Sequence, residues 1–256
     1  MKEKIYLYLI GTAGSGKSTL TSSFKNWLDL RSLSSVTVNL DPGAENLPYI
    51  PDVDIRDWIS LNEIMDNYGL GPNGAQIACA DMVALNSEDI KKSIDSFSSD
   101  YILIDTPGQL ELFVFRQSGK YIIDYIDKDH SIIAYLIDYS LAKNASGFIS
   151  QLLLSLNTNF RLNKPQINIL SKSDLLNKKE KEKIEKWSND IESLRFSLEI
   201  ENPSIYREMN EKILNLIGDF DNNIMFNLVG KNFYGIEDLY TSIQIQFKGG
   251  EDLLKD

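Results

Sequence analysis

Six short stretches of the chain are almost wholly apolar, and each stops at a polar or glycine-bearing cluster. They are residues 5–10, 35–40, 101–104, 131–137, 166–170 and 224–228. Runs of this length without polar alternation predict strands covered on both faces. Between them the apolar spacing changes to that of a helix. Leu20, Phe24, Trp27 and Leu28 share one face, as do Trp58, Ile59, Leu61, Ile64 and Met65. Residues 89–97, 110 to about 125, and 148–156 repeat the pattern, and Ile236, Leu239, Ile243 and Phe247 give a last helix. Strands alternating with helices predict an α/β fold, a mostly parallel sheet flanked by helices on both faces. The glycines and proline of residues 69–75 break the pattern sharply and read as a turn. Residues 47–58, with two prolines and scattered acids, have no period; a loop this long tends to be functional. The stretch from about 175 to 222 is charged and helical in pattern, broken by Pro203, and reads as an insertion with a solvated face. The boundaries are one domain over 1–248 and a flexible tail over 249–256.

Ligands of such sheets sit beyond the carboxyl ends of the strands. There the polar clusters fall. Gly11-Thr12-Ala13-Gly14-Ser15-Gly16-Lys17-Ser18 fits the phosphate-loop template G-x-x-x-x-G-K-[ST] without a mismatch, and Thr19 continues it. Its glycines let backbone N–H groups converge on phosphate oxygens, and the helix that follows points its N-terminus at the anion. Lys17 is placed for the β- and γ-phosphates and Ser18 for Mg²⁺. These features predict a P-loop NTPase. Asp105 ends the strand at 101–104 and is a second candidate ligand for Mg²⁺, directly or through water. Gly108 would let its amide approach the γ-phosphate. Gln109, which both donates and accepts, would orient a water for in-line attack.

Ser171-Lys172-Ser173-Asp174 follows the strand at 166–170. GTPases commonly carry Asn-Lys-x-Asp at this place. Asp174 would accept from N1–H and the exocyclic amine of guanine, the Lys172 stem would lie along the base, and Ser171 replaces the usual Asn. Val229-Gly230, after the last strand, are placed to offer a backbone N–H to the guanine carbonyl.

Composition narrows the partners. A net charge of −11 over 256 residues argues against nucleic acid or an anionic membrane as the main partner. No apolar run has the length of a membrane span, and the apolar start is too short for a signal peptide before the phosphate loop, so a cytoplasmic protein is expected. Cys79 is the only cysteine, and packing is its expected role. His130, the only histidine, lacks neighbours for a metal site or a triad.

Taken together with Gly71-Pro72-Asn73, these motifs resemble the GPN-loop GTPase family, in its archaeal-type form. The resemblance also covers Asn39-Leu40-Asp41-Pro42, residues 51–57, Asp105 through Glu111 and Ser171 through Asp174. It implies hydrolysis of GTP to GDP and phosphate with Mg²⁺, in a homodimer. It implies a Gly-Pro-Asn loop over residues 69–76 that reaches the partner's nucleotide site, with Asn73 facing the γ-phosphate. It assigns Asp41 a place near the metal and the attacking water, and makes Gln109 and Glu111 the water-positioning pair. Eukaryotic relatives are associated with RNA polymerase assembly, so a related protein client is conceivable only by analogy. Three other readings stay open: a P-loop phosphotransferase, a partitioning-type ATPase (against which Thr12 stands where an extra lysine is expected), and a nucleotide-gated interaction module with negligible turnover.

Overall fold

A computed structural model describes residues 4–201, 207–218, 226–230 and 233–248. The chain divides into two compact units, residues 1–134 with 161–165, and residues 135–160 with 166–256.

The first unit holds β1 (Ile5–Gly11), α1 (Lys17–Asp29), β2 (Ser35–Asn39), β3 (Val53–Asp54), α2 (Leu61–Tyr68), α3 (Pro72–Leu85), α4 (Ser87–Asp95), β4 (Tyr101–Asp105), α5 (Leu110–Phe113), α6 (Gln117–Ile126) and the start of β5 (Ser131–Asp138). Its strand order is β3-β2-β4-β1-β5. β1 and β4 are buried on both faces, as their apolar runs require, and β2 is buried too although Thr37 and Asn39 alternate with its valines. They pair in parallel, with Leu9 and Asn39 both level with Asp105, so β2 and β4 stop together and β1 runs on to Gly11.

The second unit holds the end of β5, most of α7 (Ala145–Leu162), β6 (Gln166–Ser171), α8 (Lys178–Asn189), α9 (Ile191–Glu201), α10 (Arg207–Gly218), β7 (Phe226–Leu228) and α11 (Ile236–Lys248). Its order is β5-β6-β7, with β6 and β7 parallel and Leu170 level with Leu228. The predicted charged insertion is the helices α8 to α10. An Asn177–Glu180 capping box opens α8. The Glu201 carboxylate accepts from the amides of Ala145 and Ser146 at the start of α7.

Four expectations change. Gly-Pro-Asn is not a loop over 69–76. The connection ends at Gly71, and Pro72 and Asn73 open the 14-residue helix α3. Proline is tolerated at the first helical position, where its missing N–H would have no helical partner, and Gly69 at φ 62° ends the preceding helix. β3 is an additional two-residue edge strand inside the long loop. The helix expected from 110 to 125 is two, α5 and α6. They pack so closely that a Cβ on Gly119 would lie 2.0 Å from the Phe113 carbonyl oxygen. Trp58 lies outside α2 and is exposed. Cys79 is buried within α3, as packing predicts. Pro203, Ile224, Met225 and the tail from 249 lie outside the described residues.

Candidate nucleotide site

In the first unit the site is assembled at the ends of β1, β2 and β4. After β1 the chain turns through Gly14 at φ 74° and Gly16 at φ 97°, a region that favours glycine, and α1 begins at Lys17. The Lys17 ammonium is 6% exposed and donates to the carbonyls of Gly11 at 3.0 Å and Thr12 at 3.1 Å. Burial pulls its pKa below the ordinary 10.5, against the upward pull of Asp105 and Asp41. Thr106 ties β4 to β1 by donating to the Leu9 carbonyl at 2.7 Å. That bond helps set Gly108 against the phosphate loop, where a Cβ would stand 3.6 Å from Ala13 Cα and 3.9 Å from Lys17 Nζ.

Asp105 is 2% exposed. Burial pushes its carboxyl from 3.8 up to about 6, opposed by the nearby Ser18 hydroxyl, by the Tyr49 hydrogen bond and by Lys17. The Tyr49 hydroxyl donates to Oδ2 at 3.0 Å, while Oδ1 is buried with no hydrogen-bond partner. An orphaned carboxylate oxygen next to a serine hydroxyl suits a hard divalent cation. Among the described residues no group of three or more His, Cys, Asp or Glu could hold a metal. One carboxylate oxygen and one hydroxyl fit Mg²⁺, which keeps several waters and phosphate oxygens as ligands. Ser18 and Asp105 would hold it, with Asp41 close by.

Asn39 organises the end of β2. Its Oδ1 accepts from the Asp41 amide at 3.0 Å, and its amide group donates to the Asp41 carbonyl and to Asp54 Oδ1 at 2.9 Å. The Leu40 amide donates to the Asp105 carbonyl, which fixes Asp41 to the end of β4. Arg56 chelates Asp54 and donates to the Ala44 carbonyl at 2.8 Å. Arg116 is paired with Asp81. Both arginines thus serve in ion pairs of this structure. An open cleft of about 500 Å³ lies beside this loop, lined in part by Tyr49, Asp54 and Arg56.

The structure therefore gathers Lys17, Asp41, Asp105 and Gly108, with Ser18 on Asp105. Gln109 caps α5, and Glu111 lies in its first turn; both are exposed. Gly71, Pro72 and Asn73 are exposed at the start of α3. Thr12 and Gly16 are half-buried, Ala13, Gly14 and Thr19 exposed, and Ser15 buried. Sequence reasoning missed Tyr49 as an Asp105 partner. Its signal was an aromatic hydroxyl set between Pro48 and Pro51 in an unusually long loop.

In the second unit, Ser171 is buried and donates to the Ile137 carbonyl at 3.0 Å. Lys172 takes a left-handed φ of 56°, and its ammonium pairs with Asp138 at 2.6 Å. Asp138 also accepts from the amide and hydroxyl of Ser140. Asp138 was not foreseen, although, like Asp105, it is a carboxylate closing an apolar strand. Asp174 is exposed. Gly230 lies against it, since a Cβ there would come within 3.0 Å of Asp174 Oδ1. The amides expected to face guanine have other partners. Val229 N–H donates to the Leu170 carbonyl and Gly230 N–H to the Tyr234 carbonyl. The sheet ladder takes the first and a local turn the second; Gly230 instead leaves room for Asp174. Lys231 and Asn232 lie outside the described residues.

Residues 9–249 match a family model described as a conserved hypothetical ATP binding protein. The GPN-loop GTPase PAB0955 of Pyrococcus abyssi is 33% identical over 235 residues, which is 91% of this chain and 93% of that protein. The chain belongs to the GPN-loop GTPase family. GPN-loop GTPase 3 of Saccharomyces cerevisiae is 32% identical over 225 residues, 85% of this chain and 82% of its own length. The crystal structure of PAB0955, described as a GTPase in apo form, superposes with a TM-score of 0.86 at 31% identity, covering 95% of this chain and 98% of that one. The fold is that of the P-loop GTPases, and the protein is a GTPase. Among the described residues no helix is long and apolar enough to cross a membrane.

Proposed function

We propose that the protein hydrolyses GTP to GDP and phosphate with Mg²⁺, as a homodimer whose nucleotide state gates a protein client in the cytoplasm. The observation that carries the reading is that β1, β2 and β4 run parallel to one edge of the sheet, with Lys17 and Asp105 buried there and one Asp105 oxygen unpartnered.

Each residue has a role in this scheme. Lys17 turns from the Gly11 and Thr12 carbonyls to the β- and γ-phosphates, and the loop amides neutralise charge that develops on them. Ser18 and Asp105 hold Mg²⁺, which supplies further positive charge at the β- and γ-phosphates. Gly108 N–H donates to the γ-phosphate. Asp41, Gln109 and Glu111 orient the attacking water; as its oxygen bonds to the γ-phosphorus, the bond from that phosphorus to the β-phosphate oxygen breaks, GDP leaves, and the water proton passes to the released phosphate. Asn73 is contributed by the second subunit. The exposed start of α3 suits that task, because a helix N-terminus carries the positive end of its dipole and unpaired amides. In the second unit, Asp174 and Lys172 take the base.

Single-turnover hydrolysis tests the water-positioning role. Gln109→Ala is expected to slow the chemical step by about a hundredfold while GTP still binds. Hydrolysis at the unaltered rate removes Gln109 from the mechanism. The family description names ATP, and competition between GTP and ATP for the same site measures the base preference.

A further inference from the structure

The two oxygens of Asp105 are treated differently, and Tyr49 makes the difference. Its hydroxyl holds Oδ2 at 3.0 Å, whereas Oδ1 is buried and unpartnered. We propose that Tyr49 is a positioning residue for the metal: it pins the Asp105 carboxylate by Oδ2 so that Oδ1 is presented to the cation. The inference rests on the reading of Asp105 as a Mg²⁺ ligand.

An aspartate carboxylate has a broad, twofold torsion about its terminal bond, so an untethered one offers either oxygen over a range of angles. Partners that fix a ligand's orientation raise metal affinity without touching the metal. Tyr49 can do this only if it is itself fixed, and the loop around it is tied on both sides. Before it, the Pro48 carbonyl accepts from the Ser22 hydroxyl of α1 at 3.0 Å. After it, the Asp52 carboxylate accepts from the amide and hydroxyl of Thr37 in β2, at 2.8 and 2.9 Å, and lies 3.6 Å from Lys25. Further on, Asp54 is held by Asn39 and Arg56, and Arg56 reaches back to Ala44. The motif at residues 51–57 thereby gains a purpose, as the anchor that keeps the tyrosine on the carboxylate.

The test uses Mn²⁺ as a spectroscopic probe on the full chain with GDP bound, titrated by electron paramagnetic resonance. Tyr49→Phe keeps the ring and removes the hydroxyl. It is expected to weaken Mn²⁺ binding by about tenfold, while GDP affinity in EDTA stays at the wild-type value. Unchanged Mn²⁺ affinity overturns the proposal. Tighter Mn²⁺ binding overturns it too, and makes Tyr49 a plug. An equal loss of GDP affinity in EDTA also overturns it, since the tyrosine would then support the whole loop. Asp105→Ala separates the layers. If that variant binds Mn²⁺ as the wild type does, the reading of Asp105 as a ligand falls, and this inference with it.

Discussion

Lys17 and Asp105 in the first unit are buried, and each is held away from its ordinary ionisation, the lysine downward and the carboxyl up to about 6. Lys172 and Asp138 in the second unit form an ion pair at 2.6 Å, where the lysine side chain keeps 36% of its surface and the carboxyl is drawn down, not up. Asp105 and Asp138 each close a strand. The difference is desolvation. Burial penalises the charged form of both Lys17 and Asp105, and their mutual attraction does not fully offset it. Around Lys172 the solvent remains, and hydrogen bonds prevail. A cluster of poorly compensated buried charges contributes little to folding. Its natural reading is a site kept ready for charge that arrives with a ligand. The exposed pair instead fixes the conformation of a loop.

The largest expected effect breaks this comparison if it fails. Lys17→Met removes the ammonium but keeps the length of the stem. Phosphate binding and single-turnover rate should fall by about a hundred- to a thousandfold. The melting midpoint of the nucleotide-free protein should change little, because the desolvation relieved at Lys17 offsets the two carbonyl hydrogen bonds and the attraction to Asp105 that are lost. A clear fall in that midpoint would show that Lys17 serves folding, and the contrast between the two pairs would disappear.

The next effect concerns the base. Asp174→Asn replaces an acceptor-only group by an amide that accepts at one atom and donates at the other. Guanine would present two donors to it, one of which meets another donor. The preference for GTP over ATP should drop by about a hundredfold, read by competition against a labelled guanine nucleotide. Thermal stability should not change, since Asp174 is exposed. A preference that survives intact would move base recognition away from Asp174.

These residues differ in how far the sequence discloses them. The phosphate loop is contiguous, so its spacing alone carries the chemistry; β1 and β4 are legible because burial on both faces demands apolar runs, and β2 is legible from its valines and the Asp-Pro-Gly stop after it. α3 was not legible. Its buried positions are Ala75, Cys79, Ala80 and Val83, mostly small side chains that raise little periodic signal, and its opening Gly-Pro-Asn has the composition of a turn. Tyr49 and Asp105 are 56 residues apart in sequence, and Lys172 and Asp138 are 34 apart. No local pattern marks such pairs; only the packing of the sheet brings their elements together. The amides of Val229 and Gly230 fail for the same reason in reverse. Sequence places them after a strand, but it does not say that the ladder and a turn have taken their hydrogens.

The smallest effect sharpens the comparison from the exposed side. Asp138 is penalised by burial, but hydrogen bonds from Lys172 and from Ser140 outweigh that penalty and lower its pKa below the ordinary 3.8. A carboxyl depressed on folding adds stability that is fully present above its unfolded pKa and is lost as pH falls through the folded one. The contribution should therefore be full at neutral pH and shrink as pH falls below about 3.8. Solvent screening around a lysine that is 36% exposed limits it to under about 1 kcal/mol. Asp138→Asn should lower the unfolding midpoint slightly at pH 7 and by less near pH 3, where the unfolded carboxyl is largely protonated. Denaturant unfolding at the two pH values reads the difference. An equal loss at both would mean that Asp138 acts through the geometry of its Ser140 turn and not through its charge, and the loop carrying Lys172 would then be held without the ion pair.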